Sequence, residues 1–322
     1  MLGLFRSYYA FNHLFLLGYI FIIRHVGLLD RITYQGTERS WLFQHIQFTM
    51  PSSWLQNFIA IILLWLHSIL INNIVNSNKL SKETGLLSGL FYVLLMSMSS
   101  EGLSLHPILL ANTFLLLGIH NIMESSKEVD IRHLLFNTGL FLSLAAFIYP
   151  PYFVIVVLGL LGFNTVKSFK AIGLIQYIIG IISSFIIILG IQYLIQGVIS
   201  FQLPVSIIDH RVWSNSLTPN TLIFVLSFVF CLLFMLIQYP GIISKKNIQT
   251  RKKIELFYLL ILFSIIVKLI FFYNQSLELT ILALPVGLLL GIWAAENKSV
   301  VFAEIIHLML LVCLFILHYN IF

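Results

Sequence analysis

The chain reads as an all-α, polytopic transmembrane helix bundle, and three observations predict this. Apolar residues fill 59% of its 322 positions. Charged residues fill 9%, against roughly 25% in soluble domains, so lipid is the expected solvent for much of the surface. The apolar residues also fall in long runs, with the basic residues gathered in alternate gaps between them.

Runs of roughly 17–25 residues, the length that crosses a bilayer as a helix, place about eleven spans. They cover 8–28, 54–77, 84–100, 107–123, 132–149, 151–166, 171–198, 219–239, 255–274, 278–295 and 300–319. The first follows a basic residue, as a signal peptide would. It has no small-x-small cleavage site and further spans follow, so it is expected to remain as a helix. A loop at about 29–53 comes next, with Trp41, Leu42, Ile46 and Phe48 set among polar neighbours. That pattern predicts a short helix lying in the interface. Ser53 as N-cap, with Gln56 three residues on, opens the second span. The third runs into SSEGLSLH, and Pro107 opens the fourth. Ser125 and Glu128 form an expected capping box for a short helix leading into the fifth. Pro150 and Pro151 break the chain before the sixth. A loop at about 199–218 precedes the eighth, which Thr218 and Pro219 start well. Pro285, Gly287 and Gly291 in the tenth allow a kink or close packing. One integral membrane domain over 1–322 is expected, without a soluble domain, low-complexity linker or repeat of fixed period.

The charge pattern orients this bundle. With the N-terminus cytoplasmic, thirteen of the eighteen Lys and Arg residues fall inside: Arg6, Lys79, Lys82, Lys127, Arg132, Lys167, Lys170, Lys245, Lys246, Arg251, Lys252, Lys253 and Lys298. Arg31, Arg39 and Arg211 lie outside, and Arg24 and Lys268 fall within spans. This asymmetry matches the rule that cytoplasmic loops of bacterial inner-membrane proteins are rich in Lys and Arg. The net charge of +6 therefore speaks for a membrane surface, with the basic loop at about 240–254 facing anionic lipid, and against nucleic acid. Cys231 and Cys313 both fall inside spans and read as apolar-facing thiols.

Candidate chemistry lies at the outer ends of the spans. Asp30 follows span one, Glu101 follows span three, and His106 precedes Pro107 at the head of span four. Carboxylates at such a boundary serve as general bases or hold a divalent metal. The bland alternative is that all three are merely solvated in polar turns. Arg24 sits within the first span, close enough to its outer end to snorkel. Glu304 and His307 share one helix face, as a proton relay or within a packed or wet interior. The other histidines are scattered, without metal-ligand spacing. Nucleotide-binding glycine motifs, a serine-nucleophile elbow and HExxH are absent, which argues against ATP-driven transport of the soluble type.

Two resemblances follow. The stretch from Ser100 through ANTFLLLG to FNTGLFLSLAAFIYPP resembles an uncharacterised family of Bacteroidota polytopic inner-membrane proteins, over most of the chain and without an activity to transfer. The arrangement is also similar to the GT-C superfamily of polyprenyl-phosphate-sugar glycosyltransferases. Asp30, with Tyr34 four residues later, stands where that superfamily has an acidic residue after span one, and Glu101 stands at its second acidic motif. The likeness implies that Asp30 activates an acceptor. It implies that Glu101 with His106 holds a divalent metal or a lipid phosphate, and that Arg24 or Arg31 binds phosphate. Departures are the missing acidic pair at Asp30, the missing Asp-x-Asp at Glu101 and the missing large external C-terminal domain. The expected function is handling or transfer of a lipid-linked sugar at the outer face, with membrane lipid and a polyprenyl-phosphate-linked sugar as partners. The alternatives are a non-enzymatic membrane subunit for envelope assembly or integrity, which implies a membrane-protein partner, and then a transporter.

Overall fold

The structure is a computed structural model that describes residues 2–34, 40–50, 52–99, 101–197, 219–270, 277–297 and 299–319. The loop expected at 199–218, with Asp209 and Arg211, lies outside these, as do Arg39 and Lys298. Among the described residues the structure is helical and contains no strand. The α-helices are α1 (Ala10–Leu29), α2 (Trp41–Thr49), α3 (Ser53–Ser77), α4 (Leu87–Met96), α5 (Pro107–Glu124) and α6 (Arg132–Ile148). They continue with α7 (Phe153–Val166), α8 (Ala171–Gln196), α9 (Pro219–Ile243), α10 (Ile248–Ile270), α11 (Ala283–Glu296) and α12 (Val300–His318). Apart from the short α2, each matches one of the apolar runs. Seven described helices are long and apolar enough to cross a membrane, while α4, α6 and the stretch containing α7 are apolar but shorter. α10 is 23 residues long and opens with Arg251, Lys252 and Lys253 in its first turns.

Local chemistry sets the helix ends, in three places differently from the sequence reading. Ser52, not Ser53, is the N-cap of α3, and its side chain makes no cap bond. Gln56 is drawn instead to the carbonyl of Met50 at 2.7 Å. Ser125 closes α5 rather than opening a helix, because its hydroxyl donates to the Ile122 carbonyl at 2.6 Å. The turn that follows leads straight to α6, where Asp130 accepts from the Arg132 backbone N–H at 3.1 Å. Most consequentially, the third apolar run forms an α-helix of only 10 residues. α4 is thus about 15 Å long, half of a hydrocarbon core of about 30 Å. The chain reaches α5 through a 3-10 segment, Glu101–Leu103. α2 forms as expected, with the Ser40 hydroxyl accepting from the Phe43 N–H at 3.2 Å.

The core lies where α4 and α11 meet. Every residue of α4, and of α11 from Ala283 to Ala295, is buried. Gly287 and Gly291 let the two backbones touch: a Cβ on Gly291 would fall 2.2 Å from Ser88 Cα, and one on Gly287 2.6 Å from Tyr92 Cα. The Pro285–Gly291 segment therefore serves close packing. α6 and α8 approach in the same way, since a Cβ on Gly180 would lie 2.2 Å from the Phe136 carbonyl oxygen. α8, α9 and α12 complete the periphery with exposed apolar faces such as Ile182, Ile186, Leu226, Leu233, Val301 and Val312.

One end of the bundle gathers basic residues. Arg6 reaches Glu83 at 3.4 Å and the Ala294 carbonyl at 3.1 Å. Lys246 pairs with Glu296, Lys167 bonds the Glu128 carbonyl, and Lys253 donates to Asn78 at 2.7 Å. The opposite end carries Asp30, the start of α3 and the turn between α4 and α5.

Candidate functional site

A group of buried polar side chains gathers between α1, α3, α4, α5 and α12. His67, near the middle of α3, places Nδ1 3.0 Å from the Tyr92 hydroxyl and Nε2 2.8 Å from Thr113 Oγ1. Hydroxyls on both sides suit a neutral imidazole in either tautomer. Beside Thr113, Asn112 accepts at Oδ1 from the Tyr152 hydroxyl at 2.7 Å. A polar side chain in the middle of an apolar helix is costly unless it finds such partners, and here three helices and the Pro150–Tyr152 turn supply them.

Arg24 occupies the next layer toward the Asp30 end. It does not snorkel, for it is 1% exposed. Its Nε donates to Ser97 Oγ at 3.0 Å, Nη1 to the Leu103 carbonyl at 3.2 Å, and Nη2 to the Gly102 carbonyl. His318 from α12 reaches the Ser97 carbonyl at 2.8 Å. Backbone carbonyls left over at the end of the short α4 and in its turn are thus satisfied from α1 and α12. Irregular backbone at this depth requires that, because no water is there to do it.

His106 is the N-cap of α5. It is fully buried, its Nδ1 accepts from the Leu109 N–H at 3.3 Å, and its ring faces Tyr34 at 6.5 Å. Accepting at Nδ1 places the proton of the neutral ring on Nε2. An N–H is not a metal ligand, so His106 as arranged does not fit the metal-holding role drawn from the glycosyltransferase likeness. Among the described residues no three His, Cys, Asp or Glu side chains converge as a metal site.

Of the five residues singled out in the sequence, Arg24 and His106 lie within electrostatic reach of each other inside the bundle. Glu101 begins the turn whose next two carbonyls hold Arg24, and its side chain lies outside the described residues. Asp30 and Arg31 stand apart from that interior. Asp30 ends α1 with its N–H on the Val26 carbonyl, and its side chain is exposed. Arg31 is exposed too, with a left-handed backbone at φ 51°. The separation follows from helix geometry: six residues past Arg24 turn the chain about 240° and carry it about 9 Å toward solvent. His307, considered above with Glu304, bonds the Tyr19 hydroxyl at 3.0 Å.

His67, Tyr92, Asn112, Thr113 and Tyr152 carry the interior network, and the sequence reading did not select them. The signal was present in ILLANTFLLL and LLWLHSILI, where polar residues interrupt apolar runs near mid-span. Such positions require internal partners.

Membrane-length apolar helices around a sealed polar interior define an integral membrane protein. The chain belongs to a family of unknown function, DUF6427, whose model matches residues 40–321. No curated protein and no solved structure matches it. The likeness to glycosyltransferases therefore rests on the sequence features alone.

Proposed function

We propose that the protein is a non-enzymatic subunit of the bacterial inner membrane that serves envelope assembly or integrity through a membrane-protein partner. One observation carries this reading. Among the described side chains the groups suited to chemistry do not converge: Arg24 and His106 are sealed in the interior, while Asp30 and Arg31 are exposed. The matching topology places the N-terminus and the basic end of the bundle in the cytoplasm, supported by the grouping of Arg6, Lys167, Lys246 and Lys253. Cysteines introduced at Lys127 and Lys245 should then react only from the cytoplasmic side, and one at Phe48 only from the other. Envelope integrity in a strain lacking the gene is the functional test. Asp30→Asn with Arg31→Gln should restore it fully; loss of function with the folded protein present would overturn the reading.

A second reading, transfer or handling of a lipid-linked sugar in a GT-C-like arrangement, is favoured by the exposure of Asp30 and Arg31 at the end of α1. A carboxylate and a guanidinium side by side at the membrane boundary suit an acceptor hydroxyl and a phosphate. It requires that Asp30→Asn abolish transfer from a polyprenyl-phosphate-linked sugar in proteoliposomes while the protein stays folded. Unchanged transfer would remove the proposed base.

A further inference from the structure

The segment before α1 folds back into the bundle. Leu2–Phe5 forms a 3-10 turn in which Leu2 is 0% and Phe5 4% exposed. Phe5 meets the Tyr19 ring edge-on at 6.1 Å, although Tyr19 lies about 13 Å along α1 from Ala10. The chain therefore doubles back beside α1. Asn12 fixes the reversal, since its Nδ2 donates to the Leu4 and Ser7 carbonyls, each at 2.9 Å.

This strap clasps the ends of two core helices. Leu86, the N-cap of α4, donates its backbone N–H to the Phe5 carbonyl at 2.7 Å. Arg6 reaches the Ala294 carbonyl near the end of α11 at 3.1 Å and the Glu83 carboxylate at 3.4 Å. The clasp is weak in two respects. Its ion pair is long and its carboxylate 54% exposed, and such pairs contribute little. Arg6 Nε is also buried without a hydrogen-bond partner among the described residues. A cavity lined by Arg6, Glu83, Ser88 and Gly291 adjoins the clasp, so the guanidinium has space to move.

Beneath Phe5 lies a buried pair. The Tyr19 hydroxyl bonds His307 Nε2 at 3.0 Å, and His307 is 1% exposed. His307 Nδ1 has no partner among the described residues, whichever tautomer the neutral ring adopts. A buried polar atom left unpaired costs free energy that hydration recovers.

We propose that the strap of residues 2–6 is a gate at the basic end of the bundle: closed, it seals the Tyr19–His307 pair, and open, it admits water to that pair. Burial of Leu2 and Phe5 holds it shut. Hydration of Arg6 Nε and His307 Nδ1 favours its opening. Only the strap has to move, because α4 and α11 remain joined along the seam of Gly287 and Gly291.

Gly85 provides the perturbation. A Cβ there would lie 2.8 Å from the Arg6 carbonyl oxygen and 3.0 Å from that of Phe5, and its three nearest atoms all belong to the strap. Gly85→Ala should therefore displace the strap and leave the helices in place; Phe5→Ala should loosen it from the other side. Hydrogen–deuterium exchange of the full chain in nanodiscs reads both levels. The Leu86 amide reports the clasp, and the imidazole C2–H of His307 reports water at the pair, with His67 in α3 as the buried control. In the unaltered protein His307 should exchange faster than His67. Each variant should speed Leu86 and His307 about tenfold and leave His67 unchanged. A His307 as slow as His67 in the unaltered protein would overturn the proposal. So would a variant that speeds Leu86 but not His307, which makes the strap a surface clasp only. Acceleration of His67 along with His307 in both variants would show loosening of the whole bundle, and the gate also falls.

Discussion

Replacing Gly291 by alanine should be among the most damaging single-methyl changes in the bundle. The new Cβ would lie 2.2 Å from Ser88 Cα, 2.4 Å from Ser88 N and 2.5 Å from Ser88 Oγ. Carbon atoms rest at about 3.5–4.0 Å, so α4 and α11 must part by more than about 1 Å. Two of the three clashing atoms are backbone, which no rotamer change relieves. A gap of that size forfeits a quarter to a half of each dispersion contact along the interface, and here both helices are buried over nearly their whole length. Parting also stretches the bond from Ser88 Oγ to the Leu288 carbonyl, now 3.2 Å. Overpacking of this kind costs about 1–3 kcal/mol, and the backbone clash puts Gly291→Ala at about 3 kcal/mol. That is about a hundredfold in the unfolding equilibrium. Reversible unfolding in mixed detergent micelles, titrated with dodecyl sulfate, reads the change directly. Gly18→Ala and Gly190→Ala are the controls, because a Cβ at either meets nothing within 4 Å. In water such a change gains roughly 0.5–1 kcal/mol of helix stability, so the controls should be neutral or slightly stabilised. A loss below about 1 kcal/mol for Gly291→Ala, the lower edge of the overpacking range, would refute the close approach of α4 and α11.

Other consequences are equally direct. Arg24→Lys keeps the charge but replaces a planar fork serving three acceptors with one ammonium group, and should cost about 2–3 kcal/mol in the same titration. Glu296→Gln strands the amino group of Lys246, whose side chain is 8% exposed, and should cost about 3 kcal/mol; Lys246→Met with Glu296→Leu should recover most of it. Asp130 is held at about 2 by the side-chain hydrogen bond from Arg132. Because this pKa is depressed, its stabilising effect is complete above the ordinary value of 3.8 and disappears as pH falls through about 2. The carboxyl is fully exposed, so the measurable outcome is the titration: carbon-detected NMR should find Arg132→Gln restoring the ordinary value, with stability at neutral pH little changed.

Much of this architecture is readable from the chain without coordinates. Runs such as IAIILLWLHSIL and LIFVLSFVFCLLFML leave little choice but a lipid-facing or buried helix, and each of the apolar runs contains one. Pro107 marks the start of α5, and the alternation around Trp41 marks α2. What escapes the sequence is where α4 stops. Nothing in LFYVLLMSMSS sets its end locally; Arg24 and His318 do so, 73 and 221 residues from Ser97. For the same reason Arg24 reads as a snorkelling side chain, since the carbonyls that hold it belong to a turn unrecognised until the helices are packed. The candidate site divides along this line. Asp30 and Arg31 stand exposed, as local reading allows, and His106 caps its own helix through the Leu109 N–H, whereas the partners of Arg24 and His67 are tertiary.

The shortness of α4 has a bearing on how the protein is made. A segment of 10 residues cannot hold itself across a bilayer, and the surface against which its glycine-matched backbone rests arrives far later in the chain. Ser88 and its acceptor on Leu288 are 200 residues apart. At about 5–20 residues per second, translation of that interval takes roughly 10–40 s. Through that interval Arg24 on α1 and the polar turn of the α4–α5 hairpin lack α11 and α12, the second of which supplies His318 to the Ser97 carbonyl. Newly made chains should accordingly need an insertase or membrane chaperone most acutely between synthesis of α5 and of α11. Ribosome-stalled chains ending before Ala283 should be far more open to protease than those ending after Glu296.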